Sequence, residues 1–454
     1  MPTGLQHAIR GHVFERGAPG FEAAAHVFDP RFDHVLPDAV ARPVDGADVR
    51  DAIRFCTGMG IGVRARSGGH SYAGYSTAAH GVVLDLRKLD TITVDNHAGT
   101  ATVGAGTQLI DLYSRLARSG VTVPGGSCPS VGIAGVTLGG GFGLAARHLG
   151  LTIDSLRAVR IVTADGMLRS VDAHSNPDLL WALKGGGGGN FGVVTEFTFA
   201  THPMPASSTF FKIAWPWSSA NAAIEAWQTW APHANDKITS ILHVESAGPD
   251  IYATGQYLGP SSDVPGLVGP LMTVAGASRP VNAQHGYMDI QMLLAGCDGH
   301  TLPWCHTRGT APGGQMPREI FQAKSDYVVT PLPAAGRAAM IAGAEAEANG
   351  AGAFLCDAYG GAISRIDADQ TAFVHRGPLF CIQYYSGLAA TGWVHQAWTK
   401  MRPFVSGNAY QNYIDPGLQG WEHAYYGANR GRLQSIRKQV DPHHYFNFPQ
   451  AVGR

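Results

Sequence analysis

Excess charge is what this sequence most plainly lacks: 33 Lys and Arg stand against 34 Asp and Glu, a formal net charge of −1 over 454 residues. No segment combines a basic stripe with interleaved aromatics, so nucleic acid is not an expected partner. No apolar run approaches the roughly 18 residues that a membrane-spanning helix needs. The first residues carry Arg10 and Arg16 but no apolar stretch of the kind a secretory signal requires, and a cytoplasmic protein is the expectation. None of the six cysteines forms a Cys-x-x-Cys pair, so neither a zinc ribbon nor a thioredoxin-type motif is supported. Cys297 and Cys305 are close enough to pair, but a chain of this length needs no disulfide framework, and two free thiols are expected. His443 and His444 are adjacent, so their side chains diverge, and no metal site is expected. Internal repeats are absent.

What is present is glycine, 59 residues of it and much of it clustered, in a chain that is 45% hydrophobic and 15% charged. Such a chain can bury sizeable cores, and its length suggests two or three domains. Clustered glycine marks backbone that has to pass close to something. Val49 to Cys56 reads as a short helix with Asp48 as its N-cap, and Leu109 to Ala117 as an amphipathic helix. Thr91 to Val94 and Thr100 to Val103 read as a hairpin. The composition changes at Pro203-Met204-Pro205, beyond which Trp is more frequent and glycine clusters fade. Strands are expected at Phe210 to Trp217 and Ile238 to Val244, helices at Asn221 to Trp230 and Ala334 to Ala348. Three units are expected: 1–204, 205–405, and a C-terminal segment 406–454. Trp215, Trp217, Trp227 and Trp393 are expected mainly as core residues of the second unit.

Val103-Gly104-Ala105-Gly106 follows a strand and precedes a helix, which is the setting of a dinucleotide-binding turn. Leu109, however, occupies the place of the third glycine, and the acid expected about 20 residues on is missing. An ordinary strand-to-helix turn is the better reading. What remains is a set of Gly-rich loops between Ser67 and Gly192. Their backbone N–H groups can hold a pyrophosphate, so they suit one large, flat, diphosphate-bearing cofactor.

Those loops carry a resemblance. Arg66-Ser-Gly-Gly-His70-Ser-Tyr72, Gly125-Gly-Ser-Cys128-Pro-Ser-Val131-Gly132 and Gly139-Gly-Gly-Phe-Gly143 are similar to motifs of the berberine bridge enzyme-like FAD-linked oxidases, in the vanillyl-alcohol oxidase and p-cresol methylhydroxylase superfamily. Asp178 to Val194, Tyr425 to Leu433, and Asp441-Pro442 with Phe446 and Gln450 match as well. The resemblance runs from about Pro37 to Val452 and is weakest between about Phe210 and Thr371. It implies an α+β protein, with a PCMH-type FAD-binding domain of two subdomains and a substrate domain whose antiparallel sheet is covered by helices. The C-terminal segment would return to the FAD domain.

The resemblance further implies FAD bonded through its 8α carbon to His70 and through ring carbon C6 to Cys128. Imidazole and thiolate are both competent nucleophiles toward an electrophilic ring. The other cofactor-binding positions it implies are Arg66, Ser67, Gly68, Gly69, Ser71, Gly132, Gly135, Gly140, Gly143, Asn190, Gly192, Val194, Tyr410 and Asn412. In the family reaction a hydride leaves a carbon bearing oxygen or nitrogen for flavin N5, a protein base takes the proton, and O2 becomes hydrogen peroxide. Tyr410 to Asp415 resembles the segment whose second aromatic lies over the flavin, which makes Tyr413 the candidate base and Tyr410 the fallback. Gln383 and Tyr72 match the other active-site positions. A phenol with a pKa of about 10 needs a nearby cation or strong donors to serve as a base. Cys381 stands where many plant relatives have Lys, and Val136 where many relatives have His. The expected partners are a small-molecule substrate and O2, for a monomer or homodimer. The expected substrate is a secondary alcohol or sugar hemiacetal, in a bacterial secondary-metabolite pathway. The alternatives are an oxidative cyclase or amine oxidase on the same scaffold, or a flavin carrier without turnover.

Overall fold

The computed structural model describes residues 4–245, 248, 250–347, 350–387 and 392–454. Its first sheet sets His12–Glu15, Ala39–Arg42, Val82–Asp85 and Val63–Arg66 side by side in that order, the last three parallel. Parallel strands that follow one another in sequence need a crossover. The helix Gly46–Gly58 supplies it between Ala39–Arg42 and Val63–Arg66, burying Val49, Ala52, Ile53 and Cys56 at helical spacing. Its cap is Asp45, which accepts from the N–H groups of Ala47 and Asp48, each at 3.0 Å, and not the expected Asp48. Asp48 instead accepts from Gly11 and Val44, at 2.9 and 3.1 Å, and so fastens the N-terminal strand to the helix.

The second sheet is antiparallel throughout, in the order Ile92–Asp95, Thr100–Gly104, Val193–Ala200, Leu156–Val162, Leu168–Val171. The expected hairpin forms its first two strands. A Cβ on Gly106 would lie 1.9 Å from the Leu86 carbonyl oxygen, so the glycines of the turn after Val103 serve close backbone packing. A short pair, Val121–Thr122 with His202–Pro203, stands apart.

The third sheet has seven antiparallel strands, in the order Val281–His285, Ser208–Pro216, Asp250–Tyr257, Ile238–Glu245, Gly352–Ala358, Phe380–Ser386, Gln322–Val328. Helices Ala220–Trp230, Ala334–Glu345 and Trp393–Met401 cover one face. Ala348, the last residue of the helix expected from Ala334, lies outside the described residues. Strand alternation sorts the side chains. Phe354, Cys356, Phe380, Ile382 and Tyr384 join the core beneath the helices, together with Trp215, Trp227 and Trp393. Tyr327 and Cys381, on the opposite face, join a smaller cluster with Ala146, Leu151, Tyr359, Phe373 and Tyr410. That cluster is the seam between the large sheet and the rest. The largest core lies under the first two sheets and also takes Leu433, Ile436 and Val452 from the C-terminal end.

Cys297 and Cys305 are joined in a disulfide, against the expectation of free thiols. Gly296 and Gly299 adopt positive φ, and a 3-10 turn at Leu302–Cys305 folds the segment back until the two Cα atoms are 5.8 Å apart. No helix among the described residues is long and apolar enough to cross a membrane.

Candidate active site

The loop after Val63–Arg66 carries His70, and the loop before helix Ile133–Leu138 carries Cys128. The two loops meet backbone to backbone. A Cβ on Gly68 would lie 2.3 Å from the amide nitrogen of Gly132, and one on Gly132 would lie 2.0 Å from the Ser67 Oγ. Ser67 donates its hydroxyl to the Ala105 carbonyl at 2.6 Å, which ties the same loop to the second sheet. The Nε2 of His70 is 3.0 Å from the hydroxyl of Ser130, two residues beyond Cys128, and its ring stacks on Phe28 at 3.9 Å. Burial pushes the imidazole pKa down to about 3, so the ring is neutral and has a lone pair to give. Cys128 presents an exposed thiol. Desolvation by the surrounding walls, with the Glu319 carboxylate behind it, pushes that thiol up to about 11.

The backbone N–H groups of Gly69, His70 and Ser71 meet no acceptor among the described residues, and Gly69 adopts φ +75°. Successive bare N–H groups at a positive-φ glycine form an anion nest, which fits the pyrophosphate of a dinucleotide. The guanidinium of Arg66 is not part of that nest. It is buried, donates to the carbonyls of Ala24 and Ala25 and to Asp85, and holds the loop from behind. Ser71 accepts the Tyr75 N–H at 3.1 Å. Gly143 lets the third loop touch Gly125, whose carbonyl oxygen would be 1.7 Å from an added Cβ. Gly140, at φ +133°, lies against Phe373 and Tyr410. Gly135 lies in helix Ile133–Leu138 and is exposed. Asn190, Gly192 and Val194 are buried in the second sheet and its approach. Asn190 spends its amide on the Gly186 carbonyl and the Val452 N–H, each at 2.9 Å, so it anchors the C-terminal tail.

Gln383, Tyr72, Tyr413 and Tyr410 come together at the seam. Gln383 donates to the Tyr72 hydroxyl at 3.0 Å, and Tyr72 stacks on Tyr413 with ring centres 5.6 Å apart. Tyr410 packs edge-on against Tyr413 at 4.9 Å. The Tyr410 hydroxyl accepts from the N–H groups of Gly141 and Phe142 and from Asn412, at 2.9, 3.2 and 3.0 Å. Asn412 also donates to the Val136 carbonyl at 2.9 Å. Three donors occupy the Tyr410 oxygen, so it holds the glycine loop in place and is poorly placed to take a proton. Tyr413 has a different partner: its hydroxyl donates to Asp357 Oδ2 at 3.0 Å.

Asp357 was not singled out from the sequence. Its only local signal is that it is the one acid inside the otherwise apolar strand Gly352–Ala358, where a buried charge is rare. Register places it opposite Cys381, on the face toward the seam. Burial pushes its carboxyl up to about 7, against the pull of the Tyr413 hydrogen bond. Tyr413 and Tyr72 are both held well above the ordinary phenol value, chiefly by burial, and then by Asp357 and Cys128 respectively. Buried Cys381 supplies no positive charge. The shifts therefore run opposite to what a tyrosinate needs and leave Asp357 as the group poised near neutrality.

Residues 37–172 match the family model described as "FAD binding domain", and residues 409–453 match "Berberine and berberine like". The uncharacterised FAD-linked oxidoreductase YvdP of Bacillus subtilis is 33% identical, over 98% of both chains. The xylooligosaccharide oxidase of Thermothelomyces thermophilus is 27% identical, over 97% of this chain and 92% of that one. Wild-type BBE-like 1 of Physcomitrella patens, a solved structure, superposes with a TM-score of 0.92 at 29% identity and covers 100% of this chain and 99% of its own.

Proposed function

Because the chain belongs to the berberine bridge enzyme-like FAD-linked oxidoreductases, we propose that it oxidises a hydroxyl-bearing carbon, in the first instance a sugar hemiacetal, and returns the electrons to O2 as hydrogen peroxide. FAD would be held by His70 and Cys128, with its diphosphate on the Gly69–Ser71 nest. Bound there, FAD supplies the hydride acceptor and the route to O2.

The observation that carries the reading is the hydrogen bond from Tyr413 to the buried Asp357. Tyr413 can accept the substrate hydroxyl proton as it passes its own to Asp357, so no free tyrosinate has to form. Gln383 and Tyr72, tied to each other, orient the hydroxyl, and Phe321, 4.6 Å edge-on from Tyr72, keeps water from that side. A carboxylate-backed phenol suits a neutral alcohol or hemiacetal, because it removes a proton from oxygen. An amine, protonated in water, would ion-pair with Asp357 directly, which makes oxidation at nitrogen the second reading. The name of the xylooligosaccharide oxidase supports the sugar class, and the bacterial relative supports the bacterial setting in which a metabolite-tailoring role is proposed.

The test is anaerobic mixing of the purified holoenzyme with aldoses, simple alcohols and amines, with absorbance followed at the flavin band, then peroxide assay in air. Aldoses are expected to bleach the flavin. Bleaching by amines alone overturns the sugar reading, and no bleaching by any of them favours a carrier without turnover. Intact mass after acid precipitation is expected to exceed that of the bare chain by one FAD.

A further inference from the structure

Ser130 is a buried hydroxyl with one use: its Oγ lies 3.0 Å from His70 Nε2 and makes no other hydrogen bond among the described residues. Its place in the fold is fixed from both sides. The carbonyls of Pro129 and Val131 accept from the N–H groups of Ile110 and Leu109, at 3.1 and 3.0 Å, which clamps the loop onto the first turn of helix Leu109–Ala117. The carbonyl of Ser130 itself faces the His70 loop, where a Cβ on Gly68 would stand 2.7 Å from it. Backbone contacts therefore hold this residue, and its side chain is left to act on the imidazole.

The imidazole is held as well. Phe28 stacks on it with ring centres 3.9 Å apart and 19° between the planes, which fixes the plane of the ring. A ring kept neutral by burial carries a single N–H. On Nδ1 that N–H would have no acceptor among the described residues, whereas on Nε2 it has the Ser130 oxygen. Hydrogen bonding to the Ser130 backbone opposes the fall in the ring's pKa, as an acceptor facing an N–H does. The arrangement thus puts the proton on Nε2 and the lone pair on Nδ1.

We infer that Ser130 is the positioning residue for the bond between His70 and FAD: it holds the ring proton on Nε2 and so leaves Nδ1 free to bond. Nδ1 gives its electron pair to the 8α carbon, and the ring becomes cationic as it does so. Ser130 steadies that charge through the Nε2–H until the proton leaves. The 8α carbon gives up one proton as well. The two electrons pass through the flavin to O2, which departs with both protons as hydrogen peroxide, so O2 is the only co-reactant. The inference rests on the covalent-FAD reading above and adds to it the residue that directs the histidyl bond.

The test follows flavin attachment in the full-length protein. Synthesis is arrested in riboflavin-fed cells, samples are taken over time, and the acid-quenched protein is digested so that the His70 and Cys128 peptides are weighed separately. Attachment at His70 is expected to slow about tenfold in Ser130→Ala, the worth of one hydrogen bond, and to keep the wild-type rate in Ser130→Thr. Attachment at Cys128 and the Tm should be alike in all three proteins. In the wild-type flavin peptide, NMR should place the bond at Nδ1. Attachment at His70 as fast in Ser130→Ala as in the wild type, loss of both attachments together with a lowered Tm, or a wild-type bond at Nε2 overturns the role of Ser130 and leaves the covalent reading standing. A wild-type His70 peptide that never gains FAD overturns both.

Discussion

Asp357 is where the chemistry and the stability of this protein pull against each other. Its carboxyl, pushed up to about 7 by burial, is protonated in the folded protein over a pH range where it is ionised in the unfolded chain. The folded state therefore binds the extra proton between the ordinary carboxylate range and pH 7, and stability is lost as pH rises through that window. Asp357→Asn is expected to raise the Tm at pH 8 and to raise it less at pH 5, as calorimetry at the two values would show. The same variant should lower the limiting rate of flavin reduction by about a hundredfold or more, the usual contribution of a general base. In the wild type that rate should increase with pH to a plateau above about 7, and this limb should vanish in the variant. Tyr413→Phe, which removes the phenolic link, should lose rate comparably; without the hydrogen bond that pulls the Asp357 carboxyl down, its Tm should go on falling with pH to higher values than in the wild type.

At the scale of elements, two contacts hold the site together. The loops of His70 and Cys128 touch only because Gly68 and Gly132 have no side chains. Gly68→Ala must part them, and the expected result is a lower ratio of bound flavin to protein, read from the absorbance of the denatured pellet, with the large sheet unaffected. The second contact is Arg147, buried at the start of the short helix Ala146–Leu149. It donates to the carbonyls of Tyr359, Asn235, Ile238, Pro232 and Ala234, joining the third glycine loop to the turn after helix Ala220–Trp230. Burial pulls its guanidinium down to about 10, still charged at neutral pH. Arg147→Met would leave several buried carbonyls without donors, and a loss of about 3 kcal/mol in denaturant unfolding is expected.

At the scale of the molecule, the C-terminal residues pin segments far from them in sequence. Val452 closes the amide of Asn190, Arg437 donates to the carbonyls of Val452 and Phe446, and Gln450 donates to the Asp415 carbonyl beside the Tyr410–Tyr413 turn. Deleting residues from Asp441 onward should therefore damage both the flavin-binding core and the position of Tyr413. Soluble protein with a full complement of flavin and a wild-type Tm would contradict this coupling.

Local patterns in the chain were enough to specify the helix Leu109–Ala117, the helix expected over Asn221 to Trp230, the hairpin that opens the second sheet, and the glycine loops, while His70 and Cys128 were singled out by the family resemblance. Those features depend on neighbours a few residues away: a turn needs its glycine, and an amphipathic helix its periodicity. Folding alone decided which aspartate caps the first long helix, since Asp48 is claimed by Gly11, far from it in sequence, as well as by nearby Val44. It also decided that Cys297 and Cys305 close on each other, and that the tyrosine of the 410–415 segment finds Asp357 from a strand more than fifty residues away. A carboxylate's chemistry is set by its desolvation and its partner, and here these come from neighbouring strands and from the Gln411–Tyr413 turn, which meet only in the folded molecule.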